Sequence, residues 1–173
     1  MTTVSKTVIQ TRPMAFQDLD LILLIDRKIR GSGKAITYAN LTTERIFTID
    51  KNITYMAKPI SYVDLIKGDV QQLFEWGLVA ETDGHVRGFI LGETEQDAGK
   101  GARTGVILIL GVHPDYQHKG IATALVHALC DKFRSQGIKS IRISIDQRDK
   151  DLLNFFERMG FNVGHLIDYK KAL

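Results

Sequence analysis

Between Val106 and Ile145 the hydrophobic period of the chain changes twice, and few architectures accommodate that change. VILILGV, Val106 to Val112, is an apolar run rich in β-branched residues and bordered by glycine. It has the length of a buried strand and is far too short to span a bilayer. Ile121, Leu125, Leu129 and Phe133 then recur every four residues, which is the stripe of a helix, and Gly137 stands where such a helix stops. SIRISI, Ser140 to Ile145, returns to the alternation of a strand. Strand, helix and strand in this order form a βαβ unit, in which the two strands run parallel.

The flanking segments add elements of other kinds. VIQTR, Val8 to Arg12, alternates as a short strand and is halted by Pro13; Leu19, Ile22, Ile25 and Ile29 carry a helical stripe that ends near Gly31. FEWGLVAE and VRGFILGE bracket an Asp83-Gly84 turn and predict a hairpin. A helix capped by Thr42 or Thr43 is expected over TTERIFTID, and Glu95 to Gly105 reads as a polar connection. Asp149 is placed to cap a last helix carrying Leu152, Leu153, Phe155, Phe156 and Met159, ended by Gly160 ahead of a closing strand near Leu166 to Tyr169. Neither a repeat nor a low-complexity segment divides the 173 residues, so a single domain over 1–173 is expected.

Composition removes several functions. The net charge of +3 comes from Lys and Arg dispersed among Asp and Glu, without the run of like charge that marks a nucleic-acid tail. Cys130 is the only cysteine, which rules out an internal disulfide and a cysteine metal cluster within one chain. The histidines show no ligand spacing, so no metal is expected. MTTVSKTVIQTRP lacks the apolar core of a signal peptide, and the longest aliphatic run stops at Leu110. The expectation is a cytoplasmic protein that binds neither membrane nor nucleic acid.

The residues joining the first strand of the βαβ unit to its helix, HPDYQHKG, lie at the carboxyl edge of the sheet, where a crevice receives ligands. A helix beginning there offers unpaired amides backed by the positive end of its dipole, a site suited to phosphate. Gly120 lets the backbone approach, Ala122 does not obstruct, Thr123 adds a hydroxyl and Lys119 a charge at the rim. Gly120 serves a tight loop-to-helix transition equally well, so the glycine by itself does not choose. Other phosphate motifs fail. GSGKA has Lys28 where a P-loop needs its first glycine and Ala35 where it needs Ser or Thr; AGKGA has Thr94 and Gly101 at those places. No GxGxxG is present.

VHPDYQHKGIATAL resembles the acetyl-CoA-binding segment of the GNAT superfamily of N-acetyltransferases, whose signature Q/RxxGxG/A is met by Gln117, Gly120 and Ala122. The strand ending Leu110-Gly111-Val112, followed by His113-Pro114, and the later helix ending in MGF, Met159 to Phe161, are similar to the same pattern. The resemblance implies a mixed α/β (α+β) fold: a mostly antiparallel, twisted central sheet of about six to seven strands with a splayed parallel pair and about four helices. It implies acetyl-CoA as cosubstrate, with the pantetheine arm running along Leu110, Gly111 and Val112 as an added strand. The diphosphate is then held by the main chain of Gln117, His118, Lys119, Gly120, Ile121, Ala122 and Thr123. It further implies direct transfer of acetyl to a primary amine of a small molecule, peptide or protein, lysine side chains included, and it allows a homodimer.

The catalytic pair of relatives is not matched. Where their last helix reads NxxAxxLYxxxGF, this chain has Asp149 at the asparagine, Leu152 at the alanine and Phe156 at the tyrosine that donates a proton. Asp149 and Phe156 are therefore carried as cofactor-side residues. Ser144 stands where N-terminal acetyltransferases carry a glutamate base. Glu93, at the end of a hairpin strand, and Tyr169, on the closing strand, are the candidate substitutes for base and acid; a solvated strand-end charge and a half-buried aromatic account for them equally. Tyr116 is expected to pack beside the phosphate loop, and His113 and His118 flank it. Acceptor choice is expected in Gly31 to Gln72, with Tyr55, Met56 and Tyr62, and in the Glu95 to Arg103 loop. A CoA-thiolate is a tolerable leaving group, with a thiol pKa of roughly 8.5, so transfer survives without the pair. The alternative is an acyl-CoA-binding regulatory module that has lost catalysis.

Overall fold

A computed structural model describes residues 8–32, 74–96, 101–165 and 171–172. Within them five strands form one sheet in the order β1-β2-β3-β4-β5. They are β1 (Ile9–Pro13), β2 (Leu78–Thr82), β3 (His85–Gln96), β4 (Arg103–Val112) and β5 (Ser140–Arg142). The first three pairings are antiparallel and β4–β5 is parallel. The mixed α/β architecture expected from the sequence is present, with five strands among the described residues rather than six or seven. The closing strand near Leu166–Tyr169 and the helix over TTERIFTID lie outside those residues.

Beside short 3-10 turns at Phe16–Asp18 and Pro114–Tyr116, three α-helices are described whole: α1 (Leu19–Gly31), α2 (Ile121–Ser135) and α3 (Lys150–Arg158). They cover the two faces of the sheet, and each face has its own core. Ile22, Ile25 and Ile29 of α1 pack on Val79, Phe89, Leu91 and Ile109. Ile121, Leu125, Leu129 and Phe133 of α2 pack on Leu78, Ala80, Ile90, Ile107, Leu110 and Val112, joined by Leu152 and Phe156 of α3. The period-four stripe of the sequence is thus the buried face of α2.

Helix α2 approaches the sheet closely because glycines lie beneath it. A Cβ on Gly88 would stand 2.7 Å from Ile121 Cγ2, and one on Gly105 would stand 2.8 Å from the Phe133 ring. Gly92 faces the same ring at 3.1 Å. Phe133 therefore fills a channel made by two glycines of adjacent strands, and it stacks on Trp76 at a centroid distance of 4.6 Å.

Two helix ends are fixed as the sequence predicts. Past α2, Ile138 N–H donates to Phe133 O (3.0 Å) and Gly137 takes a positive φ; past α3, Phe161 N–H donates to Phe156 O (3.0 Å) behind Gly160. Both are Schellman closures. Asp149 Oδ1 accepts from Leu152 N–H at 3.1 Å and caps α3.

Three boundaries differ from expectation. Residues 74–76, read as the start of a hairpin strand, are helical, and β2 begins only at Leu78, because an aromatic run does not by itself choose between strand and helix. The polar connection Glu95–Gly105 is shorter than read, because the ladder continues through Thr94↔Gly105, Glu95↔Thr104 and Gln96↔Arg103. Backbone pairing does not need apolar side chains, so polarity alone misplaced the strand ends. SIRISI pairs only over Ser140–Arg142, against Thr104–Val106. The cause is in β4: Leu91 pairs with Ile109 but Gly92 with Ile107, leaving Leu108 as an extra residue. This β-bulge turns β4 away from β5.

The entry of β1 into α1 is held by ions. Arg12 donates from Nη1 and Nη2 to the two Asp18 oxygens at 2.7 and 2.8 Å, and from Nε to Glu81 at 2.8 Å. Asp18 Oδ2 also accepts from Ala15 N–H at 2.8 Å. The hydrogen bonds from Arg12 hold the Asp18 carboxyl below the usual carboxylate range against the opposing effect of burial. A carboxylate with a depressed folded pKa stabilises fully above its unfolded pKa of about 3.9 and loses that contribution as pH falls through the folded value. Asp18→Ala is expected to cost about 2–3 kcal/mol at pH 7, below the ~3–5 of a wholly buried pair because exposed Arg12 recovers solvation. The gap between wild type and variant should close in urea melts below about pH 4; a gap independent of pH would refute the ionic account.

Candidate functional site

The βαβ unit brings three features to one end of the sheet. The first is the free edge of β4. Past Val106, β4 has no strand partner on the β5 side among the described residues, so its last six positions, 107–112, border an open splay. The direction of their main-chain groups follows from the opposite edge. His113 N–H donates to Arg87 O at 2.8 Å, so in the antiparallel alternation Gly111 turns toward Phe89 while Leu110 and Val112 turn their N–H and C=O into the splay. Gln117 supports this orientation: its side-chain amide donates to Val112 O at 3.3 Å from that side. A carbonyl has two lone pairs, so Val112 O retains capacity for a second donor.

The second feature is the turn into α2. Gly120 is its N-cap at φ +87°, and Ala124 N–H donates to Gly120 O at 3.0 Å. The amides of Gly120, Ile121, Ala122 and Thr123 meet no acceptor among the described residues, and no side chain caps them. His118 also has a positive φ, +59°, which is uncommon without glycine and folds the loop back ahead of the helix. Ile121 is buried under Gly88, whereas Ala122 and Thr123 are half-buried, and His118, Lys119 and Gly120 are exposed. The outward-facing amides of the first turn, with the helix dipole behind them, suit a phosphate.

The third feature is the start of α3. Asp149 Oδ1 is spent on the cap, while Asp149 Oδ2 is buried without a hydrogen-bond partner. Phe156, one face of the same helix, is 2% exposed and meets Phe155 and Phe161 edge-on at 5.0 Å each. Its position is that of a core aromatic, and it offers no proton.

Gly111 makes room for a ring of the protein itself. A Cβ there would stand 2.5 Å from Phe89 Cε1, so what approaches the glycine is the ring of its cross-strand neighbour, on the α1 face. The glycine makes room for the core, while the neighbouring Leu110 and Val112 present the edge.

Glu93 lies half-buried on β3 opposite Val106, one strand from the point where β4 and β5 part. Arg142 of β5 forms an ion pair with Glu95 across β4, and the Thr104 and Ser140 hydroxyls bond at 2.9 Å, so the closed end of the splay is pinned. Ser144 follows β5 as an exposed residue. Tyr169, and the acceptor candidates Tyr55, Met56 and Tyr62, lie outside the described residues. Cys130 sits on the body of α2, and burial pushes its thiol pKa up, which suits packing more than nucleophilic attack. Among the described residues no group of three or more His, Cys, Asp or Glu side chains converges on a metal position, and no helix is long and apolar enough to cross a membrane.

Tyr116 packs beside the loop as expected, and Lys28 and Arg87 join His113 and Lys119 there. His113, 6% exposed, accepts from Asp115 N–H through Nδ1 at 3.2 Å, and its Nε2 is 3.0 Å from Lys28 Nζ of α1. Burial, then the Lys28 charge, lowers the His113 pKa, so the ring is neutral near pH 7 and keeps Nδ1 as an acceptor. Tyr116 meets His113 edge-on, with Arg87 Cζ 4.2 Å and Lys119 Nζ 4.7 Å from its ring centroid. The pairing of β3 with β4 brings Arg87 here.

A model described as the acetyltransferase (GNAT) family matches residues 43–161, more than half of the chain. An aminoglycoside acetyltransferase, meta-AAC0020, from an uncultured soil metagenomic sample is similar in structure with a TM-score of 0.59 at 18% identity, over 95% of this chain and 96% of that one. The ribosomal-protein-S18-alanine N-acetyltransferase from Escherichia coli gives 0.62 at 15% identity, over 90% and 78%. Arabidopsis thaliana Naa50, in complex with the bisubstrate analogue CoA-Ac-MVNAL, gives 0.61 at 17% identity, over 90% and 84%.

Proposed function

Because the chain belongs to the GNAT family of acetyltransferases, we propose that it transfers an acetyl group from acetyl-CoA to a primary amine, directly, in a ternary complex. The observation that carries this reading is the conjunction of a β4 edge open from 107 to 112 with a helix start whose first amides have no acceptor. An extended ligand with amides at one end and a diphosphate at the other satisfies both at once. The arm adds to the edge at Leu110 and Val112 as a strand would, and the diphosphate rests on the main chain from Gln117 to Thr123.

Asp149 Oδ2, buried without a donor, accepts an N–H or O–H of the cofactor arm in this reading. Phe156 supports the arm only as apolar wall. The amine loses its proton to Glu93, directly or through water, as it attacks the thioester carbonyl; the C–S bond breaks, and the thiolate leaves with a proton supplied by Tyr169 or by solvent. The named relatives include an aminoglycoside acetyltransferase and a ribosomal-protein-S18-alanine N-acetyltransferase, so aminoglycosides, small amines and peptides form the panel to test. Homodimerisation is not required by any step.

The test is a panel of aminoglycosides, free amines and N-terminal peptides with acetyl-CoA, following thiol release. Release above the acceptor-free rate on one class establishes the activity. CoA binding without release on any amine would sink the transferase reading and leave a binding module. Glu93→Gln is expected to lower kcat about 100-fold with little change in KM for acetyl-CoA. An unchanged kcat removes Glu93 from the role.

A further inference from the structure

The diphosphate site leaves positive charge beside it unexplained. Arg87 and Lys119 both lie over the Tyr116 ring, Lys28 meets His113, and Asp115 is the one carboxylate near that histidine among the described residues. The ring contacts orient the two cations but use none of their N–H donors. No acceptor among the described residues bonds Arg87 or Lys119, and Arg87 Nε is buried without a partner. A guanidinium held in place with a buried, unsatisfied donor is costly unless a ligand completes it.

The cluster adjoins the helix start through the chain itself: Lys119 precedes Gly120, whose amide begins the free set. A ligand whose diphosphate rests on those amides has a second anionic group within reach only if it carries one close by. CoA does, as the 3′-phosphate of its adenosine ribose. Resting on the acetyl-CoA reading above, we infer that Arg87 and Lys119, aligned by Tyr116, form the subsite for this third phosphate and select CoA over its dephosphorylated form. Arg87 suits the task because a planar guanidinium meets a phosphate through two parallel hydrogen bonds, which a lysine cannot do. His113, neutral and capping the loop through Asp115 N–H, holds Tyr116 without adding charge of its own.

The experiment is calorimetric titration of the purified full chain with CoA and with 3′-dephospho-CoA, at two salt concentrations. The wild type is expected to prefer CoA about 10-fold or more, with the preference shrinking at high salt. In Arg87→Gln and in Lys119→Met the ratio of the two dissociation constants should fall toward about 1–3, and Tyr116→Leu should reduce it without removing a charge. Equal affinity of the wild type for both ligands overturns the subsite while leaving the CoA reading intact. Failure of both to bind overturns the two together. A ratio unchanged in all three variants, each confirmed folded by its thermal transition, assigns the preference elsewhere and refutes the inference.

Discussion

Gly120→Val is expected to lower kcat/KM for acetyl-CoA about 100-fold, the largest functional effect of any single substitution considered in the loop. At φ +87° a β-branched residue costs about 1–3 kcal/mol, and the chain has two ways to respond. It can keep the conformation and lose stability, or relax to negative φ and rotate the peptide whose amide opens the helix. Since the nearest group to an added Cβ is Ile9 Cδ1 at 3.6 Å, crowding does not decide the outcome; backbone conformation does. Gly84, at φ +73° in the hairpin turn with nothing within 4 Å, supplies the control. Gly84→Val carries similar strain far from the amides, and it should lower the melting temperature without raising KM for acetyl-CoA. A Gly120→Val protein with wild-type KM would remove the amides from cofactor binding.

Phe133→Ala is expected to destabilise the fold by about 3–5 kcal/mol, a large part of the ~5–15 available to such a domain. The ring is 2% exposed, stacks on Trp76 and fills the channel above Gly92 and Gly105, so its removal leaves a cavity walled by strands that cannot collapse onto a helix. Urea unfolding should show a lower midpoint with an unchanged m-value. The pairing with Gly105 can be isolated. Gly105→Ala puts a methyl 2.8 Å from the ring and should cost about 1–3 kcal/mol in the wild type, but much less in the Phe133→Ala background. Additive costs would show that glycine and ring do not share the same space.

Much of the site was legible because its signals are local. The Asp83-Gly84 turn, the Asp149 cap, the glycines closing α2 and α3 and the glycine opening α2 each depend on a few adjacent residues, and the structure bears them out. The misreadings share one cause. Glu95–Gly105 was assigned by polarity, yet a ladder extends wherever two backbones stay in register. The ring that crowds Gly111 belongs to Phe89, a partner set by a register that no local pattern displays. Arg87 and Lys28 were overlooked because each, on its own element, is one more charged residue.

From the sequence alone came the order of elements, the period-four face of α2 and the place where an anion would be met, because propensity, capping and hydrophobic period act over a single turn or strand. Only the folded chain decided that β4 bulges at Leu108 and leaves β5 after Val106, that Leu110 and Val112 rather than Gly111 face the opening, and that Arg87 of β3 lies over Tyr116 while Lys28 of α1 meets His113. Those outcomes depend on pairing register and on contacts between residues far apart in the chain. Such contacts are chosen by the total packing of both faces of the sheet, which no short window of residues contains.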